Sequence, residues 1–284
     1  MNPIRGGSPL QHGVWLEGLG PRPRSRELDA LITRGVVRGR TSSPWLVEEE
    51  LAGADLDDLI GSARASDPAE LLEEVIAQRL ARACDELRSV YDATRGREGL
   101  VCFQIDPTLA ADTGAQVEVI ARLWAVVDRP NLVLEVGARR AALPVIESCL
   151  AHGINVGVTM LFSVTRYREF LEAHLRGLEH RVAVDAPVER LASVASFFLA
   201  PLDAGVDAAL DAKPNALRGA AGALRGQIAI ALAQLARREQ DRILGTDRWR
   251  RLADEGAAPQ RLLWASTTPI EPAYARTYYV EQLH

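Results

Sequence analysis

The chain has 284 residues, of which 48% are hydrophobic and 25% are charged, and its formal net charge is −5. This length and composition are enough for the core of one large α/β domain or of two small ones. The acidic balance, with arginines scattered among carboxylates, argues against a nucleic-acid-binding protein. No apolar run reaches the roughly 18 residues of a membrane span, and the N-terminus has no signal-peptide pattern. We therefore expect a cytoplasmic protein without a membrane partner.

Cysteine and lysine are both scarce. Cys84, Cys102 and Cys149 show no metal-ligand spacing, so we expect three reduced thiols in apolar surroundings. Lys213 is the single lysine of the chain. Any reaction that requires a lysine must therefore use this residue.

Short apolar segments alternate with longer amphipathic segments along the chain. The apolar segments predict strands over residues 14–19, 35–42, 100–105, 132–136, 155–161, 194–200 and 261–267. The amphipathic segments predict helices that include residues 68–93, 114–127, 141–152, 164–179 and 220–244.

This alternation predicts a parallel sheet that is covered by helices on both faces. Seven repetitions favour a barrel over an open sheet. An open doubly wound sheet is the alternative, but it usually carries a glycine-rich phosphate loop after the first strand. Here the first strand runs into Glu17-Gly18-Leu19-Gly20-Pro21, which ends at a proline and does not fit that loop.

A set of short motifs occurs in a fixed order between about residue 14 and residue 283. The set includes Val14-Trp15-Leu16-Glu17, Thr41-Ser42-Ser43-Pro44, Val90-Tyr91-Asp92-Ala93-Thr94, Val127-Asp128-Arg129-Pro130-Asn131-Leu132 and Trp264-Ala265-Ser266-Thr267. Together these motifs resemble the transaldolases, specifically the actinobacterial type. The resemblance implies a TIM-type (β/α)8 barrel, one domain over residues 14–284 behind an N-terminal tail of residues 1–13. Its active site would lie at the C-terminal ends of the strands.

The fourth predicted strand departs from the resemblance at the most important position. Transaldolases carry their Schiff-base lysine there, and the matching residue in this chain is Glu135. A carboxylate cannot form an imine with a carbonyl carbon, because that reaction needs an unprotonated amine. Lys213 precedes Pro214 in a polar stretch after the sixth strand, which indicates a connecting segment. We therefore predict that the chain does not carry out transaldolase chemistry.

Other catalytic positions implied by the resemblance are changed less. Glu17 matches the acid/base aspartate of the first strand, and Gln104 matches the glutamate that positions the catalytic water. Gln104 can hold a water molecule but cannot take its proton. Ser43 and Gly157 match two asparagines, while Thr159 matches a threonine of the family.

The phosphate-binding positions implied by the resemblance have lost their charge. An arginine after the sixth strand is matched by Pro201, and a basic residue after the seventh strand is matched by Ile270. Both changes remove charge-assisted hydrogen bonds to a phosphate. Ser196 and Ser266 remain as weaker hydrogen-bonding residues. Sugar phosphates are therefore expected to bind poorly.

The sequence ends at His284, before the eighth strand that the resemblance implies. Either the predicted barrel is truncated after strand seven, with open edges at strands one and seven, or it closes in a different way. Proteins normally cover such edges. A second copy of the chain in a homodimer, or residues 1–13, would provide the cover.

The pattern of replacements favours a barrel with new chemistry. Glu17 and Glu135 are the candidate catalytic residues, because ionised carboxylates are costly to bury unless they have a use or a partner. Two carboxyls in different environments can divide into a proton donor and a proton acceptor. The expected reaction is an enolisation, elimination, cyclisation or ring opening of a small molecule of specialised metabolism, without a cofactor. The candidate substrate-binding residues are Ser43, Gln104, Asp106, Thr159, Ser196 and Ser266.

Three alternatives remain open from the sequence. The chain is a catalytically inactive pseudoenzyme that serves as a structural or interaction partner, or Glu17, Asp106 and Glu135 hold Mg²⁺ or Mn²⁺ through their oxygens. In the third alternative, Glu135 forms a structural ion pair with Arg40 or Arg139.

Overall fold

The fold is described by a computed structural model, which covers residues 13–19, 26–43, 46, 60–61, 67–213 and 222–283. Residues 1–12, which make up nearly all of the predicted N-terminal tail, lie outside the described residues, as does Pro44 of the second motif. Within the described ranges, no helix is long and apolar enough to cross a membrane.

Seven strands form one parallel sheet in which each strand pairs with the next along the chain. The strands are β1 (Val14–Glu17), β2 (Val37–Ser42), β3 (Leu100–Gln104), β4 (Leu132–Gly137), β5 (Val156–Leu161), β6 (Val194–Phe198) and β7 (Arg261–Ala265). All seven predicted strands are confirmed, and each differs from its prediction at one end only, by one or two residues. The sixth strand stops at Phe198 because a helix begins at Leu199.

Helices follow most of the strands and cover the outer face of the sheet. They are α1 (Arg26–Thr33), α2 (Pro68–Ala93), α3 (Thr113–Val127), α4 (Leu143–Ala151), α5 (Val164–Val182), α6 (Leu199–Asp211), α7 (Ile228–Leu244), α8 (Asp247–Asp254) and α9 (Tyr278–Leu283). The sequence did not predict α1, α6, α8 and α9. Helix α6 was missed because its apolar first residues continue the apolar pattern of β6.

The sheet curls into the greater part of a TIM-type barrel, and β1 and β7 are its edges. In the described part of the chain, β1 pairs with β2 alone and β7 pairs with β6 alone. The predicted α/β fold, with seven parallel strands in a curled sheet, is therefore confirmed for the described residues. The predicted cover of these two edges, by a second copy of the chain or by residues 1–13, stays a prediction.

Two apolar cores lie on opposite sides of the sheet, because successive side chains of a strand point to opposite faces. On β4, Leu134 and Val136 belong to the large core under the helices. Val133 belongs to a small core inside the barrel, together with Cys102 of β3 and Val194 of β6. Glu135 alternates with Leu134 and Val136 and therefore faces the barrel interior.

Two buried asparagine side chains fix the beginnings of β4 and β5. Asn131 Nδ2 donates hydrogen bonds to the carbonyls of Cys84 and Gly99, at 2.8 and 2.9 Å. Asn155 Nδ2 donates to the carbonyl of Leu132 at 3.0 Å, and its Oδ1 accepts from the amide of Ala192 at 2.8 Å. These bonds tie β4 to its surroundings and so hold the strand that carries Glu135.

Candidate active site

Glu135 lies near the C-terminal end of β4, on the inner face of the barrel. Its register partners are Gln104 on β3 and Gly157 on β5. The residue is 1% exposed to solvent. A carboxyl in this position is desolvated and therefore depends on hydrogen bonds from its neighbours.

Two side chains, one on the adjacent strand β3 and one on β6 beyond β5, donate hydrogen bonds to Glu135. Ser196 Oγ on β6 donates to Oε1 over 2.8 Å. The thiol of Cys102 on β3 donates a second hydrogen bond to the carboxyl. Ser196 was predicted from the sequence as a site residue, whereas Cys102 was expected only to be a reduced thiol in apolar surroundings. The signal was available, since Cys102 precedes Gln104 by two residues and shares its face of β3.

Burial sets the protonation behaviour of Glu135. It raises the pKa of the carboxyl to about 7, and the hydrogen bonds from Ser196 and Cys102 oppose this rise. Burial also raises the pKa of Cys102, and the nearby Glu135 carboxyl raises it further, so this thiol stays protonated. Glu135 is therefore present in both protonation states near neutral pH, as a general acid or base requires.

The predicted ion pair between Glu135 and an arginine does not form. Arg40 points to the outer face, where it donates to the carbonyl of Gly18 at 3.2 Å and pairs with Glu86 of α2 at 3.1 Å. Arg139 is exposed beyond the end of β4. Across the described residues, no salt bridge involves Glu135. Its burial is therefore balanced by neutral donors.

Gly157 leaves the space that Glu135 occupies. A Cβ at this position would lie 3.2 Å from Glu135 Cγ and 2.8 Å from the carbonyl oxygen of Val194. Such contacts are too close for most side chains to be tolerated without a shift of the backbone. The glycine on β5 and the glutamate on β4 therefore fit together sterically.

Gln104 and Thr159 complete the buried part of the site. Gln104 lies beside Glu135 in the parallel register of β3 and β4, and it is buried. Thr159 follows Gly157 by two residues and lies on the same face of β5, also buried. The structure thus brings Gln104, Thr159 and Ser196 together around Glu135, and their substrate-binding roles stay predictions.

Glu17 lies apart from this group, at the exposed C-terminal end of β1. It shares a face with Trp15, which packs against the inner core. Strand β1 is three strand spacings from β4, roughly 14 Å along the sheet. Glu17 and Glu135 therefore lie on separate parts of the wall, and the catalytic role of Glu17 stays a prediction.

Three other predicted residues mark the ends of their strands. Asp106 is exposed after β3, and its Oδ1 accepts from the amide of Thr108 at 2.8 Å, so it caps the 3-10 helix Pro107–Leu109. Ser43 is buried after β2, and its hydroxyl has no hydrogen-bond partner among the described residues. Ser266 is exposed after β7 with a φ of 54°. In the described part of the chain, no hydrogen bond joins these residues to Glu135.

Glu17, Asp106 and Glu135 do not assemble into a metal-binding group. Among the described residues, no cluster of three or more histidine, cysteine, aspartate or glutamate side chains has the geometry to hold a metal ion. The three cysteines are all free and buried, as the sequence predicted.

Comparison with known proteins agrees with this barrel. A sequence model of the family described as Transaldolase/Fructose-6-phosphate aldolase matches residues 24–284. A protein named Transaldolase from Frankia alni is 38% identical over 99% of this chain and 76% of its own length. A Transaldolase from Parafrankia sp. is 40% identical over 95% of this chain and 73% of its own length. A third, from Trichodesmium erythraeum, is 34% identical over 96% of this chain and 74% of its own length. The resemblance inferred from the motifs is confirmed, and the chain belongs to the transaldolase/fructose-6-phosphate aldolase family.

Proposed function

We propose that this chain is a small-molecule enzyme that uses Glu135 as a general acid/base and does not form a Schiff base. The observation that carries the proposal is the buried Glu135 carboxyl with a pKa of about 7. It lies on β4 at the position that the motif resemblance gives to the Schiff-base lysine. A pKa close to the working pH is what a general acid or base needs.

Lys213 does not offer a substitute amine. It is exposed and follows the end of α6. Helix α6 begins at the C-terminal end of β6 and leads away from the mouth of the barrel for 13 residues, which corresponds to roughly 20 Å of helix. The Lys213 amine therefore lies far from the mouth of the barrel, where a Schiff base would have to form.

Enolisation illustrates how Glu135 would work. The ionised carboxyl takes a proton from the carbon beside a carbonyl group, and the electrons of that C–H bond form the enolate. The amide of Gln104 can donate a hydrogen bond to the enolate oxygen. Return of the proton from Glu135 to the carbon restores the ketone, so the step is balanced without a co-reactant.

Glu17 is the proposed second proton carrier. Because it is exposed on β1, it exchanges protons with water more readily than Glu135. In an elimination or ring opening, Glu17 would protonate the departing oxygen while Glu135 removes the proton. Two carboxyls with different surroundings support such a division of roles.

The replacement of two basic residues at the mouth of the barrel supports a substrate outside sugar-phosphate metabolism. Pro201 and Ile270 stand at the two positions where the resemblance implies basic residues, and both are exposed. We therefore assign the chain to specialised metabolism, acting on a molecule that is not bound through a phosphate.

Borohydride trapping tests the missing Schiff base. The protein is incubated with fructose 6-phosphate and sodium borohydride, and its intact mass is measured. A lysine-bearing transaldolase is the positive control. We expect no mass increase for this chain, and a stable sugar adduct would contradict the proposal.

Proton exchange tests the acid/base step directly. Cyclohexanone in D₂O is followed by proton NMR, because loss of the signals beside the carbonyl reports enolisation. We expect this chain to accelerate the exchange above the buffer rate. A rate equal to that of the buffer would remove enolisation from the proposed reactions.

A pseudoenzyme is the second candidate, and the near-complete burial of Glu135 favours it. A carboxyl that is 1% exposed and bonded to Ser196 and Cys102 has the surroundings of a purely structural group. If the chain is a pseudoenzyme, Glu135→Gln would lower the melting temperature at about pH 6, where the protonated carboxyl predominates. The unmodified chain would then not accelerate proton exchange of a ketone. Measuring both properties on one variant separates the two candidates.

A further inference from the structure

The mouth of the barrel has an apolar wall at the ends of β5 and β6. Met160 and Phe162 are 38% and 40% exposed there. Phe198 ends β6 and is half-buried, and its ring centroid lies 6.4 Å from that of Phe162. Large apolar side chains that remain exposed side by side often mark a binding surface. We call Met160, Phe162 and Phe198 the apolar wall.

A bulge in β5 directs Met160 inward. Val158 and Leu161 pair with Ala195 and Phe197 of β6, and the register shifts between the two pairs. Val158 and Leu161 both belong to the outer core. The two residues between them, Thr159 and Met160, therefore share the inner side, and Met160 takes a left-handed φ of 60°.

The rim next to the apolar wall is also uncharged. Ala265 of β7 is the register partner of Phe198, and Pro201 and Ile270 are exposed beyond β6 and β7. Residues 160–162, 198–201 and 265–270 contain no charged side chain. An anionic group on this side of the mouth would find no cation from these segments.

The apolar wall stands directly above the buried carboxyl. Phe198 follows Ser196 by two residues on the same face of β6, which is a rise of roughly 7 Å. Ser196 in turn donates to Glu135 over 2.8 Å. A molecule that reaches Glu135 from the mouth along β6 must therefore pass the apolar wall.

We propose that the apolar wall binds the uncharged, apolar part of the substrate while the polar reacting group lies at Glu135. The binding of an apolar group at the apolar wall is inferred from the exposed side chains alone. The position of the reacting group at Glu135 rests on the proposed function. The substrate class is thus an amphipathic small molecule with a carbonyl or hydroxyl group at one end and an uncharged hydrocarbon body.

N-phenyl-1-naphthylamine is a suitable probe, because it is uncharged and its fluorescence increases in apolar surroundings. We expect one saturable site in the full chain. Phe162→Asp places a charge on the apolar wall and should weaken binding by about tenfold or more. Met160→Asp should act in the same direction. Val184→Asp is the matched control, since Val184 is 71% exposed in the turn after α5, and it should leave binding unchanged.

A second cavity must be excluded as the site of the probe. Between the edges of β1 and β7 the described residues line a cavity of about 590 Å³, which includes Trp15, Leu263 and Val280. Val280→Asp should leave probe binding unchanged. Binding that is lost in Val280→Asp but kept in Phe162→Asp would overturn the proposal, and so would displacement of the probe by micromolar fructose 6-phosphate.

Ligand binding at the apolar wall and acid/base catalysis by Glu135 can be disproved separately. Probe binding needs no turnover, so Glu135→Gln should bind the probe as the unmodified chain does. If Phe162→Asp abolishes probe binding while Glu135→Gln keeps full proton exchange, the apolar wall stands and the acid/base role of Glu135 is wrong. If Phe162→Asp still binds the probe while Glu135→Gln loses proton exchange, Glu135 keeps its role and the apolar wall does not select the ligand.

Discussion

The five inner strands of the sheet differ sharply from its two edge strands. Strands β2, β3, β4, β5 and β6 pair on both sides, and most of their residues are buried. Strands β1 and β7 pair on one side in the described part of the chain, and most of their residues are partly or fully exposed. A strand that pairs on both sides is also covered by helices on its outer face and by other side chains on its inner face. The burial of its residues therefore follows from its position in the sheet.

The two candidate carboxylates fall on different sides of this division. Glu135 belongs to the middle region, where burial raises the pKa of its carboxyl to about 7. Glu17 belongs to the edge strand β1 and is exposed. The same side-chain chemistry therefore has two environments in one barrel. The carboxyl whose pKa is raised by burial is the one on a strand that pairs on both sides.

The largest expected effect is on proton exchange. Glu135→Gln keeps the size of the side chain but removes its ability to accept a proton. We expect the enzyme-catalysed exchange of cyclohexanone to fall by roughly 10²–10⁴-fold, the usual contribution of a general acid or base. Unchanged exchange in a folded Glu135→Gln variant would assign the chemistry to another part of the barrel.

The same variant should change how stability depends on pH. Glu135 ionises near 4.5 in an unfolded chain and near 7 in the fold, so the folded state holds more protons between these values. The free energy of unfolding therefore falls as pH rises through this window, by on the order of 3 kcal/mol. Glu135→Gln cannot ionise, so it should be the more stable protein at about pH 8.

Chemical denaturation at several pH values checks this effect. The two proteins should have similar stability at about pH 4, below both pKa values, and should diverge as pH rises. Parallel curves across the whole range would mean that the folded and unfolded states ionise Glu135 alike. Glu98→Gln is a comparison variant for the same denaturation experiment, because it removes a glutamate carboxyl that, unlike Glu135, pairs with an arginine. Glu98 lies in the loop before β3 and pairs with Arg261 at 2.8 Å.

A smaller effect is expected at the edge of the sheet. Glu17→Gln removes an exposed carboxyl whose proton transfer water can partly replace, so we expect proton exchange to fall by about tenfold. Kinetics of the double variant with Glu135→Gln test whether the residues work as a unit, since the combined loss should then be less than the product of the two. A loss with Glu17→Gln that equals the loss with Glu135→Gln would break the distinction between edge and middle strands.

The smallest effect concerns the backbone. Amide hydrogens of β4 should exchange more slowly than those of β1 and β7, because strands that pair on both sides open together with the whole fold. Hydrogen-exchange mass spectrometry of the full chain measures this difference. Equal protection of β1 and β4 would indicate that another segment or a second chain covers the edge.

The sequence predicted the fold well because its signals are local and repeated. Apolar strands alternate with amphipathic helices, and the predicted helix over residues 68–93 agrees with α2 at both ends. Helix α6 was missed because an apolar strand and an apolar helix start look alike where no polar residue separates them. Helix α9 lies in a segment of mixed polarity, where periodicity gives little information.

The site was predicted in part, because motif positions name strand ends but not contacts. The placement of Glu135 with Gln104, Thr159 and Ser196 follows from strand order and alternation. Alternation on β3 places Cys102 on the same inner face as Gln104, but its hydrogen bond to Glu135 depends on the distance between β3 and β4, which the sequence does not give. The inward turn of Met160 depends on a bulge, which the apolar pattern of β5 does not reveal.

A titration of the glutamate side chains tests the central claim most directly. The protein is labelled with ¹³C at the glutamate carboxyl carbon, and its NMR spectrum is recorded across the pH range, with Glu135→Gln to assign the signal. We expect one glutamate signal that titrates near pH 7 and is missing from the spectrum of the variant. If the signal that disappears in the variant titrates at the ordinary glutamate value of about 4.5, Glu135 is not poised for acid/base catalysis at neutral pH.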